Sequence, residues 1–210
     1  MRILFYDTET SGMPLFSEPS SDPRQPHIVQ VAAALVDSET RKIEAEMNLL
    51  VRPQGWDIDP EAQAIHGITR ERASRFGISE GCAIAHLLDL WGMADKRVGH
   101  VESFDARIAR IAIKRFGYFD ASADLLADSW KAAPAGCTSQ MTEYLNPALG
   151  RGHGRGPKLA DAYRYFFHRE LEGAHDASAD MRACMDVYFA VVDDPSSQPR
   201  SAASKGSRRK

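Results

Sequence analysis

An apolar run that breaks off on two acids opens the sequence: RILFYDTETSG, residues 2–12, with Asp7 and Glu9 two positions apart. In a strand, residues i and i+2 share a face, so both carboxylates crowd one spot where a buried strand ends. Like charges held that close repel and raise a pKa unless a cation lies between them. A divalent ion that prefers hard oxygen ligands, Mg2+ or Mn2+, resolves the conflict. Taken alone, the pair is a weak motif and reads more readily as a solvated turn in which Asp7 merely ends the strand.

The rest of the chain supplies the context. IVQVAAALVD, 28–37, is a second apolar strand, and KIEAEMNLLVR, 42–52, alternates near its start and pairs with it as a hairpin across SETR. Between the first two strands, residues 11–26 are rich in Pro and Ser without a period, a loop of a length that is usually functional. Pro60 starts a short helix that ends in a Gly-containing turn, and Thr69 caps another through Arg75. Residues 79–94 have helical spacing, 97–100 form a short strand, and Ser103 caps a helix to about Phe116. LLADSW, 125–130, reads as a strand. CTSQMTEYLN, KLADAYRYFFHREL and SADMRACMDVYFAVV read as helices. This order predicts an α/β fold with a mixed sheet: three antiparallel strands, then parallel ones reached by helical crossovers, with helices packed on it.

With 210 residues, 43% of them hydrophobic, the chain suits one domain, predicted over 1–192. Residues 193–210 carry no apolar side chain larger than Ala or Pro and are expected to be a disordered basic tail. The net charge of −3 excludes a globally basic surface, so any nucleic-acid binding has to be local, with or without metal, and not a whole-protein electrostatic effect. No apolar run reaches the roughly 18–20 residues of a membrane span. RILFY is too short for a leader, and Asp7 interrupts it. Cys82, Cys137 and Cys184 form no CxxC pair, which points to free thiols and a cytoplasmic location. Cys82 and Cys184 fall on apolar helix faces and read as core. The segment GRGHGRGPK, 150–158, is Gly-rich and basic. It lacks the GK-Ser/Thr of a P-loop, and reads either as an arm touching phosphates or as a solvated connection.

Three further stretches bear on Asp7 and Glu9. HVESFD places Asp105 in the first turn of a helix that follows a short strand. GAHDASAD places His175 before a helix and Asp180 on it. On one regular helix these two would point about 140° apart, so they converge only if His175 lies on the approach loop, which Gly173 makes easy. PEAQAIHGIT places His66 before a glycine turn.

Together, FYDTETSG, HVESFD and HDASAD, in this order over roughly residues 2–190, resemble the DnaQ-like exonucleases with the DEDDh signature. That group includes the proofreading epsilon subunit of bacterial DNA polymerase III. PEAQAIHGIT resembles the segment that follows the third strand there. The resemblance implies a ribonuclease H-like fold and a 3′–5′ exonuclease that releases 5′-mononucleotides from single-stranded 3′ ends, DNA favoured over RNA, in repair or proofreading. A polymerase partner belongs to the same picture. It further implies two divalent metal ions, Mg2+ or Mn2+, held by Asp7, Glu9, Asp105 and Asp180, with His175 as general base. Thr8, Thr10, Ser11, Gly12 and Met13 match the cradle of the terminal nucleotide, and His66 and Phe104 match substrate contacts. There are two departures: Val101 stands where the family often has Asn, and Asp176 adds an acid beside the histidine, either a surface residue or a rival to Asp180. The alternative class is a catalytically silent binding module of the same fold.

Overall fold

The computed structural model describes residues 1–117, 122–152 and 154–197. Strands β1 (Arg2–Thr10), β2 (Ile28–Asp37) and β3 (Ile43–Leu50) run antiparallel. The later strands β4 (Lys96–Gly99) and β5 (Ala135–Cys137) add in parallel on the other side of β1, in the order β3-β2-β1-β4-β5. This is the predicted mixed sheet.

Strand β1 lies in the middle and is covered on both faces, which explains its unbroken apolar run. Leu4 and Tyr6 pack into a cluster with Ile84 and Leu87 of α3 (Glu80–Gly92) and Ile108 and Ile111 of α4 (Glu102–Phe116). Ile3 and Phe5 pack against Met181, Cys184 and Tyr188 of α8 (Ala177–Asp193). All four β1 side chains are fully buried, each worth roughly 1.5–3 kcal/mol. The same alternation continues past the core: Thr8 falls on the α4 face, while Asp7 and Glu9 fall on the α8 face.

Short helices fill the connections: α1 (Pro60–His66), α2 (Arg70–Phe76), α5 (Ala123–Ala132), α6 (Thr138–Met141) and α7 (Leu159–Phe167). Thr69 caps α2, its hydroxyl accepting from the Arg72 N–H at 3.1 Å. The loop over 11–26 is tied down from α4. Arg107 donates to the carbonyl of Leu15 at 3.1 Å, and Arg115 to that of Gln25 at 2.7 Å.

Four expectations need correction. Residues 125–130 belong to α5, not to a strand: Ala127 and Trp130 are buried at helical spacing, and the last strand follows at Ala135–Cys137. Ser103 lies inside α4, which Val101 precedes as the cap residue. The helix expected over 137–146 breaks into α6 and a 3-10 turn, Glu143–Leu145. Cys184 is buried as expected, but Cys82 is exposed, because α3 buries its 83/84/87/88 face.

Asp193 pairs with Arg41 at 2.6 Å and Asp194 accepts from the Tyr144 hydroxyl at 2.5 Å. The remainder of the basic tail, 198–210, lies outside the described residues. No helix among the described residues is long and apolar enough to cross a membrane.

Candidate active site

The acids arrive from three elements. Asp7 and Glu9 stand on the last turns of the β1 pleat, Asp105 on the first turn of α4, and Asp180 on the first turn of α8. One ligand atom each from Glu9, Asp180 and His175 lie within 4.8 Å of one another. Asp7 sits among them: burial above all, then the charges of Asp105, Asp180 and Glu9, push its carboxyl well above the ordinary range. Burial, with Asp180, Asp105 and Asp176, raises Glu9 to about 8. Asp105, 3% exposed, is pushed up by burial to about 7, although two hydrogen bonds from Thr8 pull it down. Burial also raises Asp180. Four carboxyls whose neutral forms are favoured by proximity and burial are a site that lacks positive charge. The donor set is hard oxygen with one imidazole at its rim, which suits a divalent cation.

His175 is placed as the spacing required. It lies on the loop before α8, in the left-handed region at φ 68°, after Gly173 at φ 71°. Its N–H donates to Asp180 Oδ2 at 2.9 Å, so backbone and carboxylate hold each other. Asp176 has a structural task. It caps α8, its Oδ1 accepting from the N–H groups of Ser178 at 3.0 Å and Ala179 at 3.2 Å.

Gln30, which the sequence reading passed over inside an apolar strand, fixes that cap. It is 2% exposed; its Oε1 accepts from the Ala177 N–H at 3.1 Å, and its amide donates to Asp176 Oδ2 at 3.1 Å and Asn48 Oδ1 at 2.9 Å. The start of α8, and with it His175 and Asp180, is thereby bolted to β2. A second network sets Asp105. Buried Glu102, one turn earlier on α4, accepts from the Tyr6 hydroxyl at 2.8 Å and from Arg97 Nε at 2.7 Å. Between β4 and α4, Val101 takes φ 62°, a left-handed conformation that is strained for a β-branched residue.

The expected cradle residues divide. Thr8 turns away, its N–H and hydroxyl donating to Asp105 Oδ1 at 3.0 and 2.7 Å. The Thr10 hydroxyl donates to the Gly12 carbonyl at 2.8 Å, and Ser11 Oγ accepts from the His27 N–H at 2.9 Å. Thr10 and Ser11 thus shape the loop with their hydroxyls, and Thr8 sets Asp105. Gly12 lies close under the Asp59 carboxylate, which a Cβ there would have to displace. Met13 is 69% exposed. His66, at the end of α1, accepts from the Ile68 N–H at 3.0 Å through Nδ1, while its buried Nε2 has no hydrogen-bond partner among the described residues. Its pKa is lowered by burial and, to a smaller extent, by His175, while the Thr10 backbone pulls it up. Phe104 is half-buried against the α4-side core.

A family model described as an exonuclease, RNase T, matches residues 4–188. Among solved structures, one of exonuclease I that addresses its processivity matches with a TM-score of 0.71 at 22% identity, over 90% of this chain and 40% of that one. Escherichia coli exonuclease I in complex with a dT13 oligonucleotide gives 0.69 at 22% identity, over 91% and 40%. The zinc-bound form of the E. coli exonuclease I complex with single-stranded DNA gives 0.69 at 23%, over 90% and 40%. The chain thus spans about two fifths of the length of these structures, and the likeness is one of fold. No curated protein matches the sequence.

Proposed function

Because the chain belongs to the RNase T exonuclease family, we propose that it is a metal-dependent 3′–5′ exonuclease that releases 5′-mononucleotides from single-stranded DNA. The observation that carries the reading is the convergence at the end of β1 of one imidazole and four carboxyls whose pKa values burial raises. E. coli exonuclease I, whose fold this chain shares, has been captured with single-stranded DNA and with zinc.

In this reading Asp7, Glu9, Asp105 and Asp180 hold Mg2+ or Mn2+, two ions in the complete site. Bound there, divalent cations neutralise the phosphate and the charge that develops at phosphorus in an in-line displacement. The chain's own groups do the rest. The imidazole of His175 takes a proton from the attacking water as general base. The bond from Asp180 Oδ2 to the His175 N–H fixes the base relative to the acids. Thr8 orients Asp105. Exposed Met13 and Ile65, at 69% and 60%, offer apolar surface to the terminal base, and the unpaired His66 Nε2 offers a polar contact.

The test is digestion of 5′-labelled single-stranded DNA and RNA with Mg2+, with Mn2+ and with EDTA. The expected result is a ladder shortening from the 3′ end, faster on DNA and abolished by EDTA. Intact strands in every lane would leave a silent binding module.

A further inference from the structure

The Gly-rich basic segment 150–158 is not absorbed by the chemistry above. Its position is set by contacts at both ends. Asn146, 2% exposed, accepts from the Arg151 N–H at 2.8 Å and donates its amide to the Arg155 carbonyl at 3.2 Å. Gly156 packs so closely on α6 that a Cβ would overlap the Ser139 carbonyl oxygen. The Pro157 carbonyl lies 3.1 Å from His100 Nε2, and His100 Nδ1 lies 2.9 Å from Thr138 Oγ1.

These anchors bring the end of the segment to the end of the sheet that carries the acids. The parallel register pairs Phe5 with Val98, so two residues further on Asp7 and His100 come to the same end of the sheet. Thr138 Oγ1 is in turn 3.4 Å from Cys184 Sγ, and Cys184 is near enough to Asp7 and Asp105 for their charges to add to the burial that raises its thiol pKa.

The charges on the segment are not all alike. Arg151 is paired with Asp161, which also takes Arg164. Arg155 and Lys158 are exposed and form no ion pair among the described residues. A chain of net charge −3 that gathers its acids at the site repels a polyanion everywhere except where metal or local cations offset it. Two unpaired cations on a segment already ordered by its own hydrogen bonds offset that repulsion with little further loss of conformational freedom.

Resting on the exonuclease reading, we infer that Arg155 and Lys158 form a phosphate-binding arm. The arm grips the backbone of the single strand beyond the terminal nucleotide that enters the acidic site.

The test compares the full chain with its Arg155→Gln/Lys158→Gln variant; both side chains are exposed, so the fold is retained. Anisotropy follows binding of a labelled oligothymidylate with uncleavable phosphorothioate terminal linkages across a salt series. Two lost phosphate contacts make the log–log salt slope shallower by about 1.4 and weaken binding roughly 25-fold at ~0.1 M salt. Hydrolysis of the p-nitrophenyl ester of thymidine 5′-monophosphate, which has no neighbouring phosphates, is expected to be unchanged. The cations of the tail remain in both proteins, so the difference reports the arm alone. An unchanged slope and affinity, or an equal loss on the ester, would overturn the inference. A wild-type protein that binds the strand with the steeper slope but cleaves neither substrate would support the arm and sink the exonuclease reading.

Discussion

Glu9 and Asp105 hold protons at pH values where free carboxylates have lost them, and this has a cost in the metal-free protein. As pH rises from the ordinary glutamate range near 4.5 through about 8, the unfolded chain releases the Glu9 proton before the folded one does. The raised pKa therefore supports the fold at low pH, and that support is lost across this window. Two outcomes follow in a melting experiment. Metal-free Tm should fall between pH 5 and 8, and Mn2+ should flatten the fall. Glu9→Gln should raise the metal-free Tm at pH 8, by about 2–4 °C for each kcal/mol relieved, while lowering nuclease activity at least 100-fold, the lower end of what a positioned charged group contributes. An unchanged melting curve would show that the acids are not crowded. His175→Ala separates base from ligands: the Mn2+-induced rise in Tm should persist while kcat falls by about 10²–10⁴. A variant with normal turnover would remove His175 from the mechanism.

Helices and strands carry these residues to one point, and here sequence and structure diverge in an instructive way. The motif residues were legible because each sits near a feature that the sequence marks: an apolar run that breaks off at Asp7, a short strand before α4, a glycine before α8. What holds those ends together was not legible. Gln30 looks like a stray polar residue in an apolar strand, and only the fold reveals that residue 30 meets residues 48, 176 and 177. For the same reason Asp176 looked like a spare acid until α8 gave it orphan N–H groups to cap. The strand expected over 125–130 failed because a short apolar run does not distinguish periods, and tertiary packing of Trp130 against Trp91 and Tyr6 decided for a helix. Gln30→Leu should lower kcat about tenfold or more with KM little changed, and destabilise the fold by about 1–3 kcal/mol through the unpaired Asp176 and Ala177 groups. A loss of stability with kcat intact would make Gln30 a structural clamp only. Val101→Asn should work in the other direction. Asn tolerates the left-handed region better than a β-branched residue, so this variant should gain roughly 1 kcal/mol in denaturant melting. A destabilised Val101→Asn would mean that the 49% exposed Val101 side chain contributes more than its strain costs.

At the scale of the molecule, the mixed sheet does one thing for function. It buries β1 on both faces, then lets the strand run past the core, so that the pleat delivers Asp7 and Glu9 to α8 and Thr8 to α4 at the rim. Acids from distant parts of the chain meet there because α4 and α8 pack on the two faces of β1 and both begin at its far end, not because any of the three is unusual alone. The central claim is that this cluster is a divalent-cation site kept protonated until metal arrives. Titrating Mn2+ into the protein by calorimetry at pH 7, in two buffers of different ionisation heat, tests it most directly. The account predicts saturable binding that releases one proton or more, because Glu9 and Asp105 give up theirs to the ion, and loss of that binding in Asp7→Asn. Absence of binding, binding without proton release, or undiminished binding in Asp7→Asn would contradict it.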